Sequence, residues 1–290
     1  MNRTRFAPSP TGPLHLGHAY AAWVAHTRGD EMLLRIEDID QSRARPHWEK
    51  AIHEDLAWLG IGYPQPVMRQ SERQDAYDKA LDALWSQGLL YPCTCTRRDI
   101  ETAASAPQEG APLHGPDGVI YPGTCRPLTA SRASRPHRAT LRLNMRKAAE
   151  RIGKDTLCFE ETGVGDQGQT GLQEISLERA ISEIGDVVVA RKDMGSAYHL
   201  AVVVDDIEQG ITEVTRGADL FAATAIHVIL QDLLGVPTPQ YHHHGLIRDT
   251  AGKRLAKRDD ARSLAFYRDA GWAPEALIEM LSCDVRQKIL

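Results

Sequence analysis

No stretch of this chain approaches the length of a membrane span. Apolar runs such as Leu200–Val204 fall far short of the roughly 20 residues that a helix needs to cross a bilayer. Behind Arg3 and Arg5 there is no apolar segment of signal-peptide length. Cysteine is scarce and odd in number. Five residues, Cys93, Cys95, Cys125, Cys158 and Cys283, are too unevenly placed for a secreted disulfide framework, which makes the cytoplasm the expected compartment. Charge of one sign is not in excess either. Thirty-four Lys and Arg face 39 Asp and Glu, a net charge of −5, so nothing global announces nucleic acid and an RNA partner would need a local basic surface. What remains is 42% hydrophobic and 25% charged over 290 residues, the composition of a globular enzyme able to bury its own core.

The first ninety residues alternate. Strand-like text at Arg3–Ala7, Glu31–Asp38 and Pro66–Ser71 is interleaved with helical text at Gly17–Arg28, Pro46–Gly60 and Glu72–Gly88. Proline at the first turn of the second helix and glycine past the ends of the second and third mark their limits. Such alternation predicts an α/β fold with a parallel, Rossmann-like nucleotide-binding sheet. The rhythm stops between Tyr91 and about Pro136, a Gly/Pro/Ala/Ser-rich stretch that reads as an insertion. Strands are expected again at Ala139–Leu143 and Asp186–Asp193 and a helix at Ala218–Gly235, after which comes the run Tyr241–Ile247. Ala197–Asp206 suits either helix or strand. A turn through Gly252 and two helices complete the chain. The expected units are residues 1–90 and 137–235 as halves of a catalytic domain, 91–136 as the insertion, and 236–290 as a short helical C-terminal region.

The segment RFAPSPTGPLHLGH, Arg5 to His18, places a Pro/Gly turn between a strand and a helix. A helix N-terminus offers outward amides and a favourable dipole to an anion, and Pro8, Pro10 and Pro13 stiffen the approach. Gly17 admits a bulky group to the backbone. His15 and His18 can donate hydrogen bonds to phosphate oxygens as charge builds on them. Two histidines alone would fit an ordinary loop–helix junction; the prolines and glycines around them favour a nucleotide site.

The HLGH tetrapeptide resembles the His-x-Gly-His signature of class I aminoacyl-tRNA synthetases, and the longer block together with LRIEDID, Leu34–Asp40, resembles their glutamyl branch. GKRLAKRDD, Gly252–Asp260, resembles that branch's lysine loop, with Lys257 at the second lysine, Arg254 in place of the first and Ala256 in place of the serine. The resemblance implies that ATP, accompanied by Mg²⁺, is held by His15, Gly17, His18, Arg254 and Lys257, with His15, His18 and Lys257 catalytic. It implies further that L-glutamate is bound by Arg5, Ala7, Ser9, Glu37, Tyr198 and Arg216. Glu37 would take the amino group, Arg5 and Arg216 the carboxylates, and Tyr198 would donate its hydroxyl. His243 sits where the family commonly has histidine, but a strand with mixed faces explains His242–His244 as simply.

Cys93 and Cys95 are close enough to share a metal to which Cys125 can return, a thiolate set that suits one tetrahedral, structural Zn²⁺. His114 and His137 are possible fourth ligands. The pattern Cys-x-Cys…Tyr-x-x-x-Cys is similar to that of short synthetase paralogues, the glutamyl-Q tRNA(Asp) synthetases, and this resemblance puts Tyr121 in the fourth place. The chain also ends at Leu290, soon after the lysine loop, where a full glutamyl-tRNA synthetase continues into an anticodon-reading portion. The implied activity is ATP-dependent formation of glutamyl-adenylate. Transfer of glutamate to the queuosine base of a tRNA(Asp) anticodon loop follows. A truncated synthetase charging a 3′ end, and a small-molecule adenylyl transferase that never meets RNA, are the alternatives.

Overall fold

The computed structural model describes residues 1–104, 113–128, 134–247 and 263–289, with side chains to 282. The first elements follow the sequence pattern closely. They are β1 (Arg3–Phe6), α1 (Leu16–Arg28), β2 (Glu31–Ile36), α2 (Pro46–Trp58), β3 (Met68–Arg69) and α3 (Gln74–Ser86). β1, β2 and β3 pair in parallel in that order. α1 lies flat on this layer because Ala19, Ala22 and Ala25, three residues apart, are each 0% exposed and too small to hold the helix off the sheet. α2 starts on Pro46 and buries Ile52 and Leu56. α3 buries Tyr77, Leu81 and Leu84, an i, i+4, i+7 stripe.

The chain then leaves the parallel layer. β4 (Leu90–Pro92), α4 (Arg97–Ala104) and the two-residue strands β5 (His114–Gly115) and β6 (Gly118–Val119) lead to β7 (Leu141–Leu143) and α5 (Met145–Ile152). β8 (Thr156–Glu161), β9 (Gly171–Ser176), the single turn α6 (Leu177–Arg179) and β10 (Val188–Ala190) follow. β7 sits between β4 and β10, antiparallel to both. The strand expected over Asp186–Asp193 is thus cut to three residues.

α7 (Tyr198–Glu208), β11 (Glu213–Gly217), α8 (Thr224–Leu234) and β12 (Gln240–His244) restore the alternation. The ambiguous run at Ala197 resolves as a helix, with Leu200 to Val203 all buried between its neighbours. The helix expected from Ala218 is split: Ala218–Leu220 forms a 3₁₀ turn and the α-helix starts only at Thr224. β11 pairs in parallel with β12, and β12 with β8 at Tyr241 and Glu161, while β9 runs antiparallel to β8. The Thr212 amide donates to the Arg3 carbonyl at 3.0 Å, which sets β11 beside β1. The layer therefore reads β3-β2-β1-β11-β12-β8, and strand order reverses between β1 and β11. Ligands of open α/β sheets bind at the carboxyl ends of the strands at such a switch point.

α9 (Leu264–Asp269) and α10 (Pro274–Ile289) return to the N-terminal half. Leu277 and Leu281 join Ala19, Leu34 and Ile52 in one core, and the Leu264 amide donates to the Leu14 carbonyl at 2.9 Å. The chain after residue 262 therefore resumes against the His15 turn. Among the described residues no helix is long and apolar enough to cross a membrane.

Candidate active site

His15 is the N-cap of α1. Its Nδ1 accepts from the Gly17 amide at 3.1 Å, while Nδ1 of His18 accepts from the His15 amide at 3.2 Å, a reciprocal capping box made by imidazoles. A nitrogen that accepts from an amide carries no proton, so each neutral ring keeps its N–H at Nε2, on the side away from the helix amides. The rings stand 3.9 Å apart. With Gly17, Tyr20, His244 and Gly245 they line a cavity of about 180 Å³.

A second cavity, of about 390 Å³, opens beside it at the carboxyl ends of β1 and β11. Arg5, Ala7, Ser9, Glu37, Tyr198 and Arg216 all line it. His18, Ala21, Gly217 and Leu220 line both cavities. Charges in the second are arranged unequally. Asp206 receives Arg5 Nε at 3.0 Å and the buried Arg35 Nη1 at 2.6 Å. Burial would raise the Asp206 carboxyl, but these two guanidiniums outweigh it and hold it below its usual range. Glu37 stands 3.3 Å from Arg35 Nη2. Burial is the larger influence there and lifts Glu37 above 4.5 against the pull of Arg35 and Arg5. Arg5 is thus held by Asp206 and by the Thr215 carbonyl at 3.0 Å while it faces the cavity.

Arg216 differs. It is 6% exposed, and among the described residues its three nitrogens meet no carboxylate. Nε donates to His243 Nε2 at 3.1 Å, Nη1 to His227 Nδ1 at 3.0 Å, and Nη2 to Thr224 Oγ1 at 2.7 Å. A guanidinium only donates, so both histidines are neutral acceptors toward it. Burial, then the charge of Arg216, drives His227 well below 6.5; His243 is lowered by burial too, despite Glu161. His243 donates its Nδ1–H to the buried Glu161 carboxylate. Among the described residues a carboxylate thus meets Arg216 only through an intervening ring, and the guanidinium lines the cavity.

The cysteines form a separate cluster. The Sγ atoms of Cys93, Cys95 and Cys125 lie within 4.8 Å of one another. The Tyr121 hydroxyl is 3.6 Å from Cys93 Sγ and 3.3 Å from Cys95 Sγ, and accepts from the Cys125 amide at 2.8 Å. Cys95 and Cys125 Sγ are 3.5 Å apart, close to the edge of a tetrahedron with metal–sulfur bonds of about 2.3 Å. Arg142 donates to Cys93 at 3.3 Å and stacks 3.9 Å over the Tyr121 ring, a cation beside what would be an anionic ligand set. Burial would raise the Cys125 thiol, but hydrogen bonds from Tyr121, the Thr94 backbone and Cys95 bring it down to about 6. Neither His114 nor His137 belongs to the cluster. The donor set fits a metal ion. Cys158 is an exposed free thiol.

The fold therefore gathers the proposed glutamate residues in one cavity and His15, Gly17 and His18 in the adjoining one. Arg254, Ala256 and Lys257 lie outside the described residues, as does the side chain of Cys283. Several residues at the site were not singled out from the sequence: Asp206, Arg35, His199, His227 and Glu161. The available signal was weak. Asp205-Asp206 and His227 are polar residues in otherwise apolar helical text, and His243 belongs to a run read as a plain strand.

Residues 1–284 match the family model for tRNA synthetases class I (E and Q), catalytic domain. The chain is 59% identical over 276 residues to the glutamyl-Q tRNA(Asp) synthetase of Rhodobacter capsulatus, covering 93% of this chain and 96% of that one. It is 42% identical over 283 residues to the protein of that name from Nitratidesulfovibrio vulgaris, covering 93% and 82%. Among solved structures it superposes with a TM-score of 0.71 and 27% identity on a glutamate tRNA ligase from Elizabethkingia meningosepticum in complex with its amino acid, over 97% of this chain but 60% of that one. A switch-point crevice with a histidine-capped helix on one side and an arginine-bearing strand on the other, together with these matches, makes the chain a member of the class I aminoacyl-tRNA synthetases, in the E and Q catalytic-domain family of ligases.

Proposed function

We propose that the protein activates L-glutamate with ATP and transfers it to the queuosine base at the wobble position of tRNA(Asp). Arg216 carries this reading: a buried cation without a carboxylate partner in the described residues, facing a cavity with Glu37 opposite in charge. A ligand that brings a side-chain carboxylate to Arg216 and an ammonium to Glu37 matches both; glutamine offers Arg216 only a neutral amide there. Tyr198 donates its hydroxyl to the ligand, and Arg5, partly neutralised by Asp206, is the secondary contact. The α-carboxylate then faces the adjoining cavity, where His15 and His18 donate through Nε2 to the phosphates of ATP. Arg254 and Lys257 are assigned from the sequence to the departing pyrophosphate.

In the first step the α-carboxylate oxygen attacks the α-phosphorus, the bond to the β-phosphate oxygen breaks, and pyrophosphate leaves. Positioning and charge stabilisation supply the catalysis. Mg²⁺ bound with ATP would neutralise phosphate charge. In the second step a hydroxyl of the modified base attacks the activated carbonyl and AMP departs. The names of the relatives support queuosine and tRNA(Asp) as acceptor; the cavities support glutamate and nucleotide. Cys93, Cys95, Tyr121 and Cys125 would hold one Zn²⁺ that pins their segment without entering the reaction. The cytoplasm, where tRNA is available, is the proposed location.

ATP–pyrophosphate exchange with glutamate, glutamine or aspartate and no tRNA tests the first step. Exchange with glutamate alone is expected; exchange with glutamine alone refutes the substrate. Labelled glutamate should then pass to tRNA(Asp) that carries queuosine and not to tRNA(Asp) that lacks it. Charging of a tRNA(Glu) 3′ end instead would identify a shortened synthetase of the usual kind.

A further inference from the structure

Arg216 is connected to a second carboxylate by a longer route, which runs into the segment between the clustered cysteines. His227 accepts from Arg216 at Nδ1, so its one proton is on Nε2. That nitrogen is 3.0 Å from His199 Nδ1, which must therefore accept. The His199 proton is then on Nε2, 3.2 Å from the Asp117 carboxylate. Every donor and acceptor in the series is fixed by the guanidinium at one end and the carboxylate at the other. Tyr198 closes it off from the cavity, its ring centroid 5.3 Å from that of His199 and 5.9 Å from that of His227.

The three polar residues come from three places. Asp117 is at the turn between β5 and β6, four residues before Tyr121; His199 is on α7 and His227 on α8. Both histidines are buried, at 7% and 3% exposure, whereas Asp117 is exposed and needed by no core. Hydrogen bonds in series polarise one another in a poorly screened interior, so the carboxylate strengthens the acceptor offered to Arg216. The route also fixes both imidazole planes, and with them the plane of the guanidinium. A planar fork must meet a carboxylate squarely to bond it through two nitrogens.

We propose that Asp117, His199 and His227 are positioning residues that orient Arg216 for the side-chain carboxylate of glutamate. The segment between the cysteines thereby sets amino-acid affinity without touching the amino acid. This rests on glutamate as the occupant of the Arg216 cavity.

The test is steady-state ATP–pyrophosphate exchange with the full chain, with glutamate binding measured by calorimetry as a second readout. Asp117→Ala should raise the glutamate KM and Kd about 3- to 10-fold, the worth of one hydrogen bond in the series, with kcat and the ATP KM within about twofold. His227→Leu should raise the glutamate KM further. His227→Asn places an oxygen near the position of Nδ1 but cannot reach His199. It should recover affinity relative to His227→Leu, and Asp117→Ala should then have no added effect. An unchanged glutamate KM in Asp117→Ala overturns the proposal. So does a parallel rise in the ATP KM, or an equal effect of Asp117→Ala in the wild-type and His227→Asn backgrounds. Wild-type protein that neither binds glutamate nor exchanges with it overturns the glutamate reading as well; wild-type exchange with an insensitive Asp117→Ala overturns the relay alone.

Discussion

Arg216→Lys keeps the charge and removes the fork. The arginine spreads three hydrogen bonds over His243, His227 and Thr224, at 3.1, 3.0 and 2.7 Å. A lysine ammonium is a single point at the end of a flexible stem and reaches only one of these acceptors in the same pocket. Two bonds made by a charged donor are lost, each worth roughly 1.5–3 kcal/mol. Partial recovery by hydroxyl rotation and ring reorientation leaves a stability loss of about 3 kcal/mol, or a thermal midpoint lower by roughly 5 °C. Function should suffer on a different axis. The side-chain carboxylate is not the reacting group, so the lost bidentate contact is uniform binding and should raise KM without lowering kcat. Replacing the fork by a point charge should raise the glutamate KM about 10- to 100-fold, equivalent to about 1.4–2.8 kcal/mol. Pyrophosphate exchange at varied glutamate and fixed ATP reads the kinetic effect; thermal melts with and without glutamate read the other. Wild-type protein should be stabilised by glutamate, and Arg216→Lys much less so. A glutamate KM within twofold of wild type, or equal increases for glutamate and ATP, would refute the assignment.

Four further outcomes are expected. Glu37→Gln should abolish exchange yet leave the thermal midpoint at neutral pH equal to or above wild type, because burial raises the Glu37 carboxyl and its charged form opposes folding above 4.5; a marked loss of stability would contradict this. Glutamate affinity should begin to fall at a pH above the ordinary glutamate range as Glu37 takes up a proton, since the ligand ammonium needs its charged form; Kd measured from pH 7 downward checks the sign. Metal analysis should find one zinc per chain and almost none in Cys95→Ser; retention of zinc would remove Cys95 from the ligand set. Gly163→Ala would place a Cβ 2.2 Å from the His243 carbonyl oxygen. It should therefore displace β12 and weaken glutamate binding along with stability, and a variant with wild-type Kd and melting would show that the strand accommodates it.

The first half of the fold was readable because its signals are local. Pro46, the glycines after α2 and α3 and the Tyr77-Leu81-Leu84 stripe act within one or two helical turns. β8 and β9 are not legible in the sequence for an equally physical reason. Thr156–Glu161 does alternate, with Leu157, Phe159 and Glu161 buried, but one of its inward residues is a carboxylate that reads as solvent-facing until its partner is known. The split of α8 from the turn at Ala218 was hidden because Phe221–Ala223 is good helical text in isolation.

The site divides in the same way. His15, Gly17 and His18 cap one helix end, and Cys93 and Cys95 are two residues apart, so order along the chain was enough to nominate them. Charge compensation acts through space. That Asp206 would serve both Arg5 and Arg35, and that Arg216 would meet neutral histidines where Asp219 stands close in sequence, depends on which side chains the sheet crossing brings into hydrogen-bond contact. A guanidinium and a carboxylate carry no record of their partners along the chain, and only the packed structure decides which charge is spent inside the protein and which remains for a ligand.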